Sequence, residues 1–586
     1  MFMRGRSRED EVCCFLGSRP SAGRRPMLRL QGLSEFARQG NASQALCRPH
    51  VCTVPTLDSS MRWEPLMPSW RLLAALISAA AGLAAAQPAA LPQAAPPVQA
   101  ASSPAAGPLV RQRRPSVDAT ALEAEVQALA RAAQLPLEAV AVVVAPLRSE
   151  APGQRFVAMS AERALQPAST MKVLTTLAGL ELLGPTWRGR TRLLATGPVE
   201  NGVLQGDLVL EGGADMDLSA DALQALLRKL RERGVEVIRG DLILDRSAFR
   251  PTRVDLGLPP FDDAPEFEYN LIPDALTVDS NLLRMDLAFD AAGTLQVHHH
   301  PRLHGLRIRH ELHLVDAPCT RWGEGWKTPE VKRRWLSQTE VVLRGTWPRG
   351  CERSLALNLI DRDEFIGRLV RRQWADLGGQ WQGRAREAVT PPGAVVLAER
   401  QSRPLSELVR GINKVSDNAR TRTLLLAIGR QTPGADDEPT LQRADRAVRA
   451  WMARHSIPDA GLVLDNGSGL SRTEKISAAQ LEAVVRAGMT GPWAPEFLTS
   501  LPVVGVDGLM RWRQADGAVP IQARLKPGGL RNVVSVAGTV NDAAGQPMIV
   551  VVILNHDNAR AAVSRPIIDA VLQWVSKTRF SPPASP

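Results

Sequence analysis

Tyrosine is nearly missing from this chain: there is one, Tyr269, in 586 residues. Chemistry that needs a tyrosine base has only that side chain to draw on. Cysteine is scarce too, six in all, and Cys13, Cys14, Cys47 and Cys52 lie close to the start. Only Cys319 and Cys351 remain for the body of the chain, and neither is near the motifs described below, which excludes a thiol nucleophile. In an oxidising compartment they could close one disulfide around a loop of about 30 residues, adding about 3 kcal/mol by loop entropy. Two free thiols stay open as the alternative, because spacing carries no geometry. Long apolar runs are absent as well. The run Leu72 to Leu83 is 12 residues, against the roughly 20 that a membrane span needs. His298-His299-His300 and His304 form the one histidine cluster, but no glutamate completes an H-E-x-x-H frame, so a zinc peptidase of that kind is excluded. Successive residues of a strand face opposite sides, and a solvated strand is the expected reading. Neither His455 nor His556 has a neighbouring motif that would make a Ser-His-Asp triad. No internal repeat and no nucleic-acid-binding motif is present.

What is there is an ordinary globular composition, 44% hydrophobic and 22% charged, long enough for two to four domains of roughly 150 residues. The formal charge is +11. The first 86 residues hold 11 Arg and 6 acids, which leaves a body that is only mildly basic. That suits an anionic polymer and also plain solubility. From Met61 a basic segment precedes Leu72–Leu83 and then Ala84-Ala85-Ala86-Gln87. The pattern predicts a secretory signal peptide over 61–86, cleaved after Ala86, with the product in the periplasm; an uncleaved anchor is the alternative. Residues 1–60 read as an over-extended gene start or disordered leader. Residues 87–115, rich in Ala and Pro, read as a tether that cannot pack a core.

Along the rest, Asp118 can cap a helix whose face is Leu122, Val126, Leu129 and Ala130. Ala139–Ala145 and Phe156–Met159 predict two strands. Over 188–358 the periodicity changes to short strands at Gly202–Leu210, Val235–Ile238, Asp241–Leu244, Leu282–Leu287 and Glu340–Leu343. One helix interrupts them, with Ser219 as N-cap, Leu223, Leu226, Leu227 and Leu230 on its face, and Gly234 after its end. So long a stretch is too much for a loop and predicts one or two inserted domains. The chain then returns over 359–580 with helices Asp363–Asp376 and Leu405–Lys414 and a strand Ala394–Leu397. Two antiparallel strands (Val533–Val540, Met548–Leu554) and a final helix (Arg565–Lys577) follow. The expectation is an α/β (α+β) domain, an antiparallel sheet flanked by helices, split into 116–187 and 359–580 by a large β-rich insertion.

Three short motifs occur in order. In Pro167-Ala168-Ser169-Thr170-Met171-Lys172, Ser169 and Lys172 are three apart and share one helix face. A serine hydroxyl needs a base within reach, and a lysine amine can serve once burial lowers its pKa. Ser416-Asp417-Asn418 and Lys526-Pro527-Gly528-Gly529 follow at long range. Their order fits the S-x-x-K, S-D-N, K-T-G set of penicillin-interacting serine enzymes. Ser468, within Asn466-Gly467-Ser468-Gly469-Leu470-Ser471-Arg472, reads as part of a tight turn by the cleft; Asn466 spoils the G-x-S-x-G frame of a hydrolase elbow. Asp417 reads as structural, and Tyr269 as a packing or cleft-rim residue.

On these residues, with Tyr269-Asn270, Pro273-Asp274-Ala275-Leu276 and Gly240–Asp245, the chain resembles a known family from about Asp118 to Thr578. It is the D-alanyl-D-alanine carboxypeptidase/endopeptidase family of low-molecular-mass penicillin-binding proteins (penicillin-binding protein 4 type). The resemblance implies a penicillin-binding transpeptidase/β-lactamase-like fold, no cofactor or metal, peptidoglycan stem peptides as substrate and β-lactams as inhibitors. It implies Ser169 as nucleophile, Lys172 as base, Ser416 as proton relay and Lys526 as a positive charge that keeps Lys172 neutral. Asn418 would bind the substrate amide, with Gly528 and Gly529 at the substrate edge and the N–H groups of Ser169 and Gly529 as oxyanion donors. Pro527 departs from the family's threonine and removes both a hydroxyl and an N–H. A catalytically impaired wall-binding homologue and a serine β-lactamase are the alternatives.

Overall fold

The computed structural model describes residues 117–580 except 149–152, 260, 263, 335–337, 512 and 514–521. The leader, signal peptide and tether expected over 1–115 lie outside the described residues. A five-stranded antiparallel sheet runs in the order Val157–Met159, Val140–Pro146, Pro547–Asn555, Val533–Asn541, Arg524–Leu530. Strand residues alternate between faces, and here both faces are covered. Ala141, Val143, Ala145, Ile549, Val551 and Ile553 join a core with the helices Met171–Leu183, Leu405–Val415 and Asn418–Gln431. Val140, Val142, Val144, Val550, Val552 and Leu554 pack against Thr120–Ala132 and Ala561–Lys577. Burial on both sides explains why these strands read as unbroken apolar runs. Each fully buried valine contributes about 1.5–3 kcal/mol.

The final helix begins at Ala561, one turn before the expected Arg565, and contains Pro566. A proline this near a helix start forfeits one intrahelical bond, and Ile567, Ile568, Val571 and Leu572 buried on the sheet hold the turn. The first helix runs Thr120–Ala132, with the Asp118 carboxylate accepting from the Thr120 N–H at 2.9 Å.

In the insertion, Ser219 caps Ala220–Glu232 by accepting from the Ala222 N–H, and Gly234 takes φ +82 just past the end. The expected strand Gly202–Leu210 is instead two, Val203–Leu204 and Leu208–Gly213. It breaks at Gly206, where a Cβ would meet Thr196 Oγ1 at 2.6 Å. Sheet pairing carries the insertion past 358. Gln380–Trp381, Ala385–Glu387 and Val395–Gln401 pair with Val237–Ile238, Leu242–Asp245 and Arg190–Ala195. Helix Arg362–Asp376 buries Phe365, Leu369 and Trp374 in the insertion's core. Apolar matching to that second core, invisible to local periodicity, places 362–401 there rather than with the five-stranded sheet. Leu295–His300 is a strand on which exposed and partly buried residues alternate through the three histidines. Cys319 and Cys351 are joined as a disulfide.

Candidate active site

Ser169 lies in a 3₁₀ turn, Ala168–Thr170, that runs directly into the helix Met171–Leu183. Met171 to Leu180 are all buried, because this helix is the centre of its core. Lys172 is therefore fully enclosed, 0% exposed. Its Nζ lies 3.1 Å from Ser169 Oγ, 2.6 Å from Asn418 Oδ1 and 2.5 Å from the Ser468 carbonyl oxygen. A neutral amine has two N–H donors and one lone pair. The amide and backbone oxygens take the two donors, which leaves the lone pair for the Ser169 hydroxyl proton. Burial, above all, lowers Lys172 to about 7; Asp417 and Glu474 oppose the shift and Arg422 adds a little to it. Desolvation is thus the leading cause of that shift. Lys526 is itself buried and held well below the usual lysine value, first by desolvation and then by Lys172.

Ser416 terminates helix Leu405–Val415 in the left-handed conformation (φ 63, ψ 42), which turns its hydroxyl away from the helix track. Lys526 Nζ donates to Ser416 Oγ at 2.9 Å and to the Pro527 carbonyl at 2.8 Å. Asp417 caps the next helix, Asn418–Gln431, by accepting from the Arg420 N–H. Asn418 is engaged at both ends: besides accepting from Lys172, its Nδ2 donates to the Tyr269 carbonyl at 2.9 Å. In this structure Asn418 is a bridge that fixes Lys172. The Tyr269 hydroxyl donates to Asp262 at 2.6 Å.

Strand Arg524–Leu530 is the sheet's edge and carries Lys526, Gly528 and Gly529. The Leu525 N–H donates to the Pro502 carbonyl, away from the neighbouring strand. Alternate residues of an antiparallel strand aim their N–H groups to the same side, so the Pro527 nitrogen and the Gly529 N–H also face the open edge. Pro527 therefore costs no ladder bond, and the register runs through it without a shift. A Cβ at Gly528 would lie 2.3 Å from Ser535 Oγ and 2.9 Å from the Ser169 nitrogen, whereas one at Gly529 would meet nothing within 4 Å. Gly528 is what lets the strand approach the Ser169 turn.

Motif reading missed the support around Lys172. Glu474, 0% exposed, accepts from the backbone N–H groups of Asn466 and Gly469 at 2.9 and 2.7 Å, and also from Gly467. That carboxylate wraps the loop that aims the Ser468 carbonyl at Lys172. Burial raises the Glu474 pKa, against those N–H donors. A lone glutamate after a Gly-rich turn was the only signal in the sequence. A cleft of about 590 Å³ is lined by Ser416 and Asn418 on one side and by Glu268, Tyr269 and Arg284 of the insertion on the other.

A serine whose lysine neighbour is enclosed, with a second pair beside it made of Ser416 at a helix end and Lys526 on the edge strand, defines a serine acyl-transfer enzyme of the penicillin-binding kind. The fold is shared with the crystal structure of penicillin binding protein 4 from Haemophilus influenzae. The TM-score is 0.63 at 23% identity, over 76% of this chain and 97% of that one. D-alanyl-D-alanine carboxypeptidase DacB of Haemophilus influenzae is 26% identical over 394 residues, 66% of this chain and 80% of that protein. A D-alanyl-D-alanine carboxypeptidase of an Actinomadura species is 28% identical over 413 residues, 68% and 74% of the two. The model of the D-Ala-D-Ala carboxypeptidase 3 (S13) family matches residues 122–578. The chain belongs to that family of serine-type D-Ala-D-Ala carboxypeptidases.

Proposed function

We propose that Ser169 attacks the carbonyl between two D-alanines of a peptidoglycan stem peptide while its hydroxyl proton passes to Lys172. The C–N bond breaks, and the leaving amine receives that same proton from Lys172 through Ser416, whose hydroxyl is held by Lys526, which returns Lys172 to its neutral form. Water then attacks the Ser169 ester, its proton passing to Lys172 and from there to the departing Ser169 oxygen, which releases the shortened peptide and restores both residues. The reaction is a carboxypeptidase step when the leaving group is free D-alanine and an endopeptidase step when that amine belongs to a cross-link. N–H groups of Ser169 and Gly529 receive the developing oxyanion, each worth about 3 kcal/mol in comparable sites. β-Lactams acylate the same serine. Lys526 and the Gly528–Gly529 edge receive the substrate, and Asn418 acts by holding Lys172. The carrying observation is the Lys172 amine, whose two donors are consumed by Asn418 and Ser468 and whose remaining site faces Ser169.

Export to the periplasm, with cleavage after Ala86, completes the reading. Among the described residues no helix is long and apolar enough to cross a membrane. Mass spectrometry after incubation with penicillin tests it. The expected result is one long-lived covalent adduct on the wild type and none on Ser169→Ala. No adduct on either protein favours the impaired wall-binding alternative, and rapid turnover of penicillin favours a β-lactamase.

A further inference from the structure

A second cavity, also about 590 Å³, opens where the Ser169 helix hands over to the insertion, and none of the four proposed catalytic residues lines it. Its walls carry four guanidinium groups, Arg188, Arg190, Arg192 and Arg430, with one carboxylate, Glu211. Arg190 and Arg192 are two apart on strand Arg190–Ala195 and so share a face. Register sets Glu211 opposite Arg192 and Gly213 opposite Arg190. Arg192 and Glu211 form an ion pair, which answers one cation. Gly213 offers no side chain, and a Cβ there would lie 3.2 Å from Arg430 Nη1. The Arg430 guanidinium fills that space and brings a third positive group beside the strand. On the other flank the uncharged Gln401 neighbours Arg190, while Glu399, opposite Arg192, accepts from Gln401. Arg188 donates to the Ser402 carbonyl. Among the described residues neither Arg190 nor Arg430 has a carboxylate partner. Partial burial, then Arg192 and Arg190, hold Arg430 below the usual guanidinium value against Glu211 and Asp245.

Guanidinium groups gathered in one recess repel each other until an anion enters, and their planar forks match carboxylates two bonds at a time. Trp187 adds a flat apolar wall. Asn418 and Arg430 stand near opposite ends of one helix, roughly 18 Å apart at about 1.5 Å per residue. One small peptide cannot serve both ends, whereas a polymer can. We propose that this cavity is an exosite for carboxylate groups of peptidoglycan, engaged while another stem peptide of the same polymer occupies the Ser169 site. The inference rests on the DD-peptidase reading.

The test is pelleting of the full chain with purified peptidoglycan sacculi, in a Ser169→Ala background so that binding is read without cutting. Adding Arg190→Gln and Arg430→Gln should weaken binding roughly fivefold to tenfold. Sacculi whose carboxylates have been amidated should hold the parent chain only at that reduced level. Equal pelleting of the two chains overturns the exosite, and so does undiminished binding of amidated sacculi, which would point to wall-linked phosphate. In the active chain the two arginine substitutions should leave penicillin acylation and hydrolysis of a small soluble D-Ala-D-Ala peptide at wild-type rates. Loss of acylation together with binding would assign these arginines to the fold and overturn the proposal. Failure of the DD-peptidase reading looks different: no acyl-enzyme forms on Ser169, whatever the sacculi do.

Discussion

Lys172 is the residue on which the chemistry turns, and its protonation gives a signed prediction. With a value near 7, the amine holds a proton below that pH and has no lone pair for Ser169. The rate of penicillin acylation should therefore fall about tenfold per pH unit below 7 and level off above it, read by labelled-penicillin capture from pH 5 to 9. Lys172→Met should slow acylation by about 10²–10⁴ with the fold intact. Glu474 acts at one remove, through the loop that presents the Ser468 carbonyl. The negative charge of Glu474 and the acceptor it positions both favour the protonated amine, and Glu474→Gln removes the first and loosens the second. The midpoint of the pH–rate profile should move down, alongside a loss of about 1–3 kcal/mol in stability. A residue that merely packs would lower the melting temperature and leave the midpoint in place.

Among the elements, the edge strand Arg524–Leu530 decides how closely substrate can approach. Gly528 and Gly529 are adjacent glycines with opposite surroundings, so Ala at each should give opposite results. Gly528→Ala drives a methyl into Ser535 and the Ser169 nitrogen and should cut acylation at least roughly tenfold, the scale on which small misplacements act. Gly529→Ala enters open space and should change the rate far less. Equal effects would mean that the strand does not set the gap. Pro527→Thr restores an N–H on the open edge and adds a hydroxyl, and should raise the acylation rate; an unchanged rate refutes that account of Pro527. The final helix makes the same point about packing. Local rules start it at Arg565, next to Pro566, yet burial against the sheet adds a turn before that point.

At the scale of the whole molecule, the insertion has its own core and its own disulfide. Replacing Cys319 and Cys351 by serine should destabilise the insertion by about 2–4 kcal/mol in thermal unfolding. Penicillin acylation should persist, since Lys172, Ser416 and Lys526 are held by the other core. Parallel loss of acylation would show the two cores to be one cooperative unit. Much of this organisation was legible along the chain. Ser169 and Lys172 needed only helix spacing, the antiparallel strands only their apolar runs, and the insertion only the length of the gap between motifs. The rest depends on which segments meet. The Ser468 carbonyl against Lys172, the pairing of 380–401 with strands between 190 and 245, and Arg430 over Gly213 each join groups far apart in sequence. Periodicity reports which face of an element is apolar and which side chains share a helix turn, because those follow from local backbone geometry. A lysine's basicity and the partner of a strand follow from what surrounds them after the chain has closed on itself, and only the tertiary structure supplies that.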